Sequence, residues 1–464
     1  MKGNDICTGT ERRRTVVKYR QISYAIADAI KHSHYKEGER LPSIRELADK
    51  HQCSKSTIIQ ALQELEQRQL IYSVPRSGHY VLKKGFLPTA PPAECYDFAT
   101  AAPDWNAFPY DEFHQCIRKA LDVYQQELFI YGMPNGLPSL IKTMERHLQD
   151  HQVFVSPEQI VVTAGVQEAL FILMSIPFPN NKQNILVEQP SYHLLIDYLN
   201  KYEIPAIGIE RTEQGIDLDE LERLFREEEI KCFYTMPRFH NPLGTSYSTE
   251  EKKAIVKLAD QYDVYLVEDD FLVDYDSNSK ADPMYSYDMK ERVIYMKSFS
   301  KILFPGLRVG IAVLPKPLLP AFQQFKLFMN IDSSILSQAA LDIYINSGMF
   351  NHHRSRIRAP YEERSHALNN GVRLMKAELQ GVLLRSPLTS CMHTHVELDR
   401  RVNMNTLAQQ MKKRKVEIDM LERNYLQGFP RSKIAKLNVS NIPIAHIPEG
   451  IQRLIEAIKA SLLG

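Results

Sequence analysis

Apolar residues Ile22, Ala25, Ile26, Ala29 and Ile30 recur at helical spacing, which predicts an amphipathic helix over residues 21–32. The Leu41-Pro42 step ends that pattern. Ser43, with Glu46 three residues later, forms a capping box that opens a short helix running to Lys50. Ser54 caps a further helix whose Ile58, Ala61, Leu62 and Leu65 share one face. Two short helices across the Gln52-Cys53 turn predict a helix-turn-helix. Apolar stretches at 70–74 and 79–82 then flank Pro75-Arg76-Ser77-Gly78 and predict a hairpin or wing.

Pro88, Pro91 and Pro92, with few large apolar neighbours, predict a linker over 84–96 that separates a domain at 12–83 from one at 97–464. From Ile160 the pattern changes. Strands at 160–163, 185–188, 204–209, 230–236 and 264–268 alternate with helices from Gln167, over 194–201, from Leu218 and over 251–261. This predicts an α/β domain, a mostly parallel sheet with helices on both faces. Further strands are expected at 293–296 and 307–313 and a long helical region at 334–379. A small C-terminal α+β part should contain strands at 392–398 and 435–439.

The 464 residues are 44% hydrophobic and 24% charged, which suits a globular chain with a sizeable core and excludes a disordered or fibrous one. No apolar run is long enough to span a bilayer. The first twenty residues carry Arg12, Arg13, Arg14 and Lys18 with no apolar signal core, so a cytoplasmic protein without a membrane anchor is expected. Six dispersed cysteines form no CxxC pair, which fits a reducing compartment and argues against a zinc ribbon. The net charge of +1 hides an asymmetry: residues 11–84 hold fifteen Lys or Arg against eight Asp or Glu. A basic head on an acidic body suggests that the head meets nucleic acid.

The run Leu41-Pro42-Ser43-Ile44-Arg45-Glu46-Leu47-Ala48, then Ser54-Lys55-Ser56-Thr57, then Leu70 and Ser77-Gly78 resembles the winged helix-turn-helix of GntR-type bacterial regulators. The match spans most of 15–83. Lys55 stands where that family usually has Arg, and Gln69 where it often has Gly. The resemblance implies a double-stranded DNA operator as partner, contacted by Arg45, Lys55, Ser56 and Thr57 and by Arg76 and Gly78 of the wing. The physics agrees, because the first turn of a recognition helix offers backbone N–H groups to phosphates and short polar side chains to base edges.

In the body, Lys301 follows a predicted strand in Ser298-Phe299-Ser300-Lys301, and Arg308 lies seven residues on in Pro305-Gly306-Leu307-Arg308. An amine beside hydroxyls and a guanidinium suits an aldehyde that carries a phosphate: the amine forms a Schiff base and the other groups hold the phosphate. Thr163-Ala164-Gly165-Val166-Gln167 turns a strand into a helix, and its small residues let backbone N–H groups face an anion. Glu268-Asp269-Asp270 ends an apolar strand at its carboxyl end, where ligands collect. A carboxylate there keeps a pyridine nitrogen protonated. His393-Thr394-His395 puts two imidazoles on one strand face, yet no nearby carboxylate or cysteine completes a ligand set, and no metal is assigned. His352-His353 with Arg354, Arg356 and Arg358 reads as a solvated basic helix face.

Together with Tyr131-Gly132, Pro190-Ser191-Tyr192 and Asn241-Pro242-Leu243-Gly244, these ordered motifs resemble fold-type I aminotransferases from Asp97 to the C-terminus. The resemblance implies pyridoxal 5′-phosphate (PLP) as cofactor. Lys301 would form its Schiff base, Asp269 would pair with the pyridine nitrogen, Asn241 would hydrogen-bond the phenolic oxygen and Tyr192 would stack on the ring. Gly165, Val166, Gln167, Ser298, Ser300 and Arg308 would surround the phosphate, and Tyr131 would reach the phosphate of the other subunit of a homodimer.

A GntR-type head joined to such a body is the architecture of MocR/GabR-type transcriptional regulators. It implies a PLP-binding, effector-responsive DNA-binding regulator in which an amine or amino-acid effector exchanges with the Lys301 imine. Two departures bear on the chemistry. Asp269-Asp270-Phe271 replaces a common Asp-Asp-Tyr whose Tyr reaches the phenolic oxygen, and Lys436 stands where an Arg usually grips the effector carboxylate. Lys is a point charge and forms no bidentate fork. These changes imply imine formation with little or no transaminase turnover. Two other readings are an aminotransferase that also binds DNA and a regulator whose body no longer binds PLP.

Overall fold

The computed structural model describes residues 9–462 except 33, 69, 75–76, 83–94, 131, 133, 277–280, 331–332 and 389–390. The chain divides into two units, 1–93 and 94–464. Most of the expected linker lies outside the described residues.

In the head, α1 (Gly9–Lys31) begins well before the predicted start. It is followed by α2 (Ile44–Lys50) and α3 (Lys55–Gln67), and by the antiparallel pair β1 (Ile71–Val74) and β2 (Gly78–Val81). Both caps form. Ser43 Oγ accepts from the Glu46 backbone N–H while the Glu46 carboxylate accepts from Ser43 N–H at 2.7 Å, and Ser54 Oγ accepts from Thr57 N–H. Such a cap satisfies backbone donors that have no partner inside the helix. Ile22, Ile26, Leu47, Ile58, Leu62 and Leu65 fill the core of the head.

The body opens with β3 (Tyr96–Asp97), α4 (Tyr110–Val123) and α5 (Pro138–Gln149). The sequence pattern predicted no helix in this stretch. The buried stripe of α4 is narrow (Phe113, Cys116, Ala120), and α5 buries Thr143 and His147 among its apolar residues, which blurs the period. Next come β4 (Ile160–Thr163), α6 (Val166–Ser175), β5 (Asn184–Gln189), α7 (His193–Lys201), β6 (Ala206–Glu210), α8 (Leu218–Glu227), β7 (Ile230–Thr235), α9 (Thr249–Gln261), β8 (Tyr265–Asp269), β9 (Val293–Ser298) and β10 (Gly310–Val313). They form a seven-stranded sheet in the order β4-β10-β9-β8-β7-β5-β6. Strand β10 alone runs antiparallel to its neighbours. It starts later than predicted because Pro305–Leu307 form a tight turn and Arg308 takes a left-handed backbone, φ 53°. Helices cover both faces: Ile185 and Val187 of β5 meet Leu170 of α6 and Leu195 of α7, whereas Leu186 meets Leu221 of α8 and Ile255 of α9.

Helix α10 (Leu319–Met329) leads to α11 (Ile335–Asn346) and α12 (Met349–Glu378), so the expected long helical region is two helices parted at Gly348, φ 81°. The C-terminal part contains β11 (Leu383–Arg385), β12 (His393–Leu398), α13 (Met404–Lys413), β13 (Val416–Glu417), β14 (Asp419–Met420), β15 (Lys433–Asn438) and α14 (Ile447–Ala460). Its sheet is ordered β11-β12-β15-β14, while β13 pairs with β3 and ties the start of the body to its end. Among the described residues no helix is long and apolar enough to cross a membrane.

Gly310 opens β10 directly against the turn that precedes α6. A Cβ at Gly310 would lie 2.6 Å from both the Gly165 carbonyl carbon and the Val166 nitrogen. Backbone cannot withdraw as a flexible side chain can, so Gly310→Ala should lower the stability of the body by about 1–3 kcal/mol. Urea unfolding read by tyrosine fluorescence should show the lower midpoint, and an unchanged midpoint would contradict this close approach.

Candidate functional site

The carboxyl ends of β8 and β9, the start of α6 and strand β15 border one cavity of about 420 Å³. Every described body residue that the sequence motifs assigned to cofactor or effector lines it, from Gly165 in the chain to Lys436. Tyr131 lies outside the described residues.

Asp269 ends β8, and its Oδ2 accepts from the Tyr234 hydroxyl at 2.9 Å. Its Oδ1 is buried with no hydrogen-bond partner, and burial pushes the carboxyl up to about 7. A buried acceptor without a donor is costly, and a ring N–H⁺ is the donor it lacks. Lys301 follows β9; its amine donates to the Ala101 carbonyl at 2.5 Å. Burial first, and the like charge of Lys436 second, lower that amine to about 8.

At the other end of the cavity α6 starts at Gly165, φ 83°, where a Cβ would sit 3.0 Å from the Arg308 guanidinium. The left-handed turn at Arg308 directs its side chain back to this point, and Arg308 Nη2 donates to the Ala164 carbonyl at 2.6 Å. Ser298 and Ser300 also border the cavity, and Ser298 Oγ accepts from Ser300 N–H. Helix N-terminus, guanidinium and hydroxyls together make an anion cradle. An amine, a buried carboxylate oxygen awaiting a donor and this cradle fit a phosphorylated pyridine aldehyde.

Lys436 and Asn241 were expected to serve different groups. The structure joins them: Lys436 Nζ donates to Asn241 Oδ1 at 2.7 Å. Lys436 is buried, which pushes its pKa down, while Asp419 opposes that shift. Phe271 brings a phenyl ring to the wall and no donor. The loop that carries Asn241 is held on β12, because His393 Nε2 bonds the His240 carbonyl at 3.0 Å and His395 Nδ1 bonds that of Leu243 at 2.8 Å. The paired histidines of β12 therefore fasten a loop. His353, read as part of a solvated face, is in fact buried and bonds the Ile302 carbonyl, because α12 packs beside the Lys301 turn.

Several contributors carried no signal in the sequence. Tyr234 orients Asp269 from a neighbouring strand, and Glu188 gathers Arg211, Thr235 and Tyr247 beneath the Asn241 loop. Asp419 and His193 line the cavity. A separate trio, buried His147 and Asp274 with partly buried His151, has the donor types of a metal site, yet Lys297 Nζ lies 2.5 Å from Asp274 Oδ2 and already places a cation there.

In the head a groove of about 490 Å³ lies between α2, α3 and the wing, bordered by Arg40, Arg45, Lys55 and Gly78. Lys55 and Ser56 are exposed at the start of α3. Thr57 is not at the surface: it is buried, and its hydroxyl lies 2.9 Å from Ser54 Oγ, so it secures the cap. Arg40, which no sequence motif singled out, packs its guanidinium against Gly78, where a Cβ would come within 3.1 Å at φ 121°. Arg76 lies outside the described residues.

Residues 104–453 match the family "Aminotransferase class I and II", and residues 18–81 match "Bacterial regulatory proteins, gntR family". The chain is 48% identical to the uncharacterized HTH-type transcriptional regulator YcxD of Bacillus subtilis, over 94% of this chain and 99% of that one. It is 28% identical to the uncharacterized HTH-type transcriptional regulator YdcR of Escherichia coli, over 75% of this chain and 80% of that one. Among solved structures, Pyrococcus horikoshii kynurenine aminotransferase, in complex with PMP, superposes with a TM-score of 0.71 at 25% identity, covering 79% of this chain and 91% of that one. The multiple substrate aminotransferase of Thermococcus profundus superposes equally well, with a TM-score of 0.71 at 24% identity over 80% of this chain and 93% of that one, and shows the same fold.

An amine is labelled in its neutral form, and the ordinary lysine value is about 10.4. In the cofactor-free protein, labelling of Lys301 by an amine-reactive reagent should therefore be half-maximal near pH 8, rising as pH rises. Pulse labelling and peptide mass spectrometry check this, and a midpoint above pH 10 would contradict the effect of burial.

Proposed function

The chain belongs to the aminotransferase class I and II family and carries a gntR-family DNA-binding domain, and from that premise we propose that it is a PLP-binding transcriptional regulator whose body senses an amine or amino acid. The observation that carries this reading is the convergence of Lys301, Asp269 and Arg308 on one cavity. When bound, the cofactor supplies an aldehyde carbon that a lysine or an effector amine can occupy in turn, on a ring that withdraws electrons.

The chain's own residues then divide the work. Lys301 offers its amine, which burial leaves about half neutral near pH 8. Asp269 holds the proton at the ring nitrogen, and Tyr192 covers the ring face. Arg308, Ser298, Ser300 and the turn Gly165, Val166 and Gln167 bind the phosphate. Asn241 keeps its amide NH2 for the phenolic oxygen while its Oδ1 is held by Lys436. An effector carboxylate that takes Lys436 frees that oxygen and alters the hold on the 240–244 loop. Such a change switches the protein only if the effector binds one arrangement more tightly than the other. A homodimer, with Tyr131 reaching across, presents two heads, so the operator should contain two related half-sites. Phe271 gives the phenolic oxygen no donor, which supports slow turnover.

Two outcomes test this reading. Lys301→Ala should abolish the visible cofactor band and the effector response while operator binding persists in mobility-shift assays. Rapid single-turnover conversion of the native protein by a common amino acid would instead favour an active aminotransferase. In the head, Arg40→Ala and Lys55→Ala should each weaken operator binding and flatten its log–log salt dependence by about one unit for each phosphate no longer neutralised. Unchanged affinity at moderate salt would remove both residues from the interface.

A further inference from the structure

The effector end of the cavity carries two opposite charges whose partners differ. Asp419 on β14 and Lys436 on β15 are register partners in the antiparallel small sheet, and both border the cavity. Residues directly opposite in such a pair present their side chains to the same face. Lys436 already donates to Asn241. The Asp419 carboxylate makes no hydrogen bond and no ion pair with any side chain among the described residues. Its charge is nonetheless felt, because it raises the pKa of both Lys436 and His193 against the lowering effect of burial. His193, pushed down by burial, brings no cation to Asp419, and Arg423 on the same side is paired with Asp197.

A partly buried carboxylate facing an open cavity is satisfied by water. A ligand that displaces this water must supply a donor or leave the carboxylate unpaired, and that asymmetry is what makes a polar site reject an analogue lacking the matching group. Resting on the reading that an effector amine reaches Lys301, we propose that the effector carries a second amine recognised by Asp419, so that the site selects a short diamino acid. Its carboxylate would meet Lys436, its reacting amine would take the carbon that the cofactor supplies and release the Lys301 amine from it, and its terminal ammonium would meet Asp419. The cavity of about 420 Å³ must also take the cofactor, so the effector is short.

The test uses the PLP-loaded full chain with three probes: L-ornithine, L-norvaline, which has the same carbon chain without the terminal amine, and L-glutamate. Calorimetry and the visible band report binding. L-ornithine should bind on the order of tenfold more tightly than L-norvaline, with L-glutamate weakest. In Asp419→Asn, a near-isosteric change, the ornithine-to-norvaline ratio should fall towards one, and Asp419→Glu should recover part of it. Equal affinities in the native protein, or an undiminished ratio in Asp419→Asn, would overturn the proposal. Silence towards all three amines with PLP bound would overturn the reading beneath it, and the proposal with it, and is distinguished by the absence of any response.

Discussion

Burial of two opposite charges that do not pair with each other governs this molecule's central cavity. The same low-dielectric surroundings push Asp269 up to about 7 and Lys301 down to about 8, so both are drawn towards their neutral forms. Neither change is relieved by a direct Asp–Lys bond; Asp269 leans on Tyr234 and Lys301 on a backbone carbonyl. A ligand with a cationic ring nitrogen and an electrophilic carbon would satisfy both at once. The cavity thus keeps unrelieved electrostatic free energy in these two groups.

The sheet sets where these two groups stand. Parallel strands β8 and β9 deliver Asp269 and the Lys301 turn at neighbouring carboxyl ends. Antiparallel β10 brings its first residue under the α6 start, with Arg308 two residues before it. The approach is possible only because Gly310 has no side chain, and it brings a guanidinium and a helix N-terminus to one end of the cavity. The small sheet closes the opposite side with Lys436, Asp419 and His393. Two histidine–carbonyl bonds fasten the 240–244 loop of the large layer to β12, so the two sheets are joined beside the cavity.

The head solves a simpler problem. Ser43 and Ser54 cap the starts of helices that a few apolar contacts hold together, and Arg45 and Lys55 border the groove beside them. Thr57 shows how one hydroxyl in a polar run is diverted: its Cβ falls on the buried side of α3, so it serves the cap.

Local sequence patterns were enough for the two-part plan, both helix caps of the head, the alternating strands and helices of the body and the motif residues that border the cavity, though not for Asp419 or His193 beside them. These depend on chemistry that neighbouring residues decide: a capping box needs only Ser43 and Glu46, a strand-to-helix turn needs Gly165, and an amine close to hydroxyls and a guanidinium needs only the run from Ser298 to Arg308. Tertiary structure alone decided the helices between Tyr110 and Gln149, the antiparallel direction of β10, the Lys436–Asn241 bond and the exposure of Asp419 to the cavity. Lys436 and Asn241 are separated by 195 residues, and Asp419 meets the site only because β14 pairs with β15. Local patterning records which face of an element is apolar; which groups then meet across that face is set by topology and register, and a one-residue slip of β14 would turn Asp419 away.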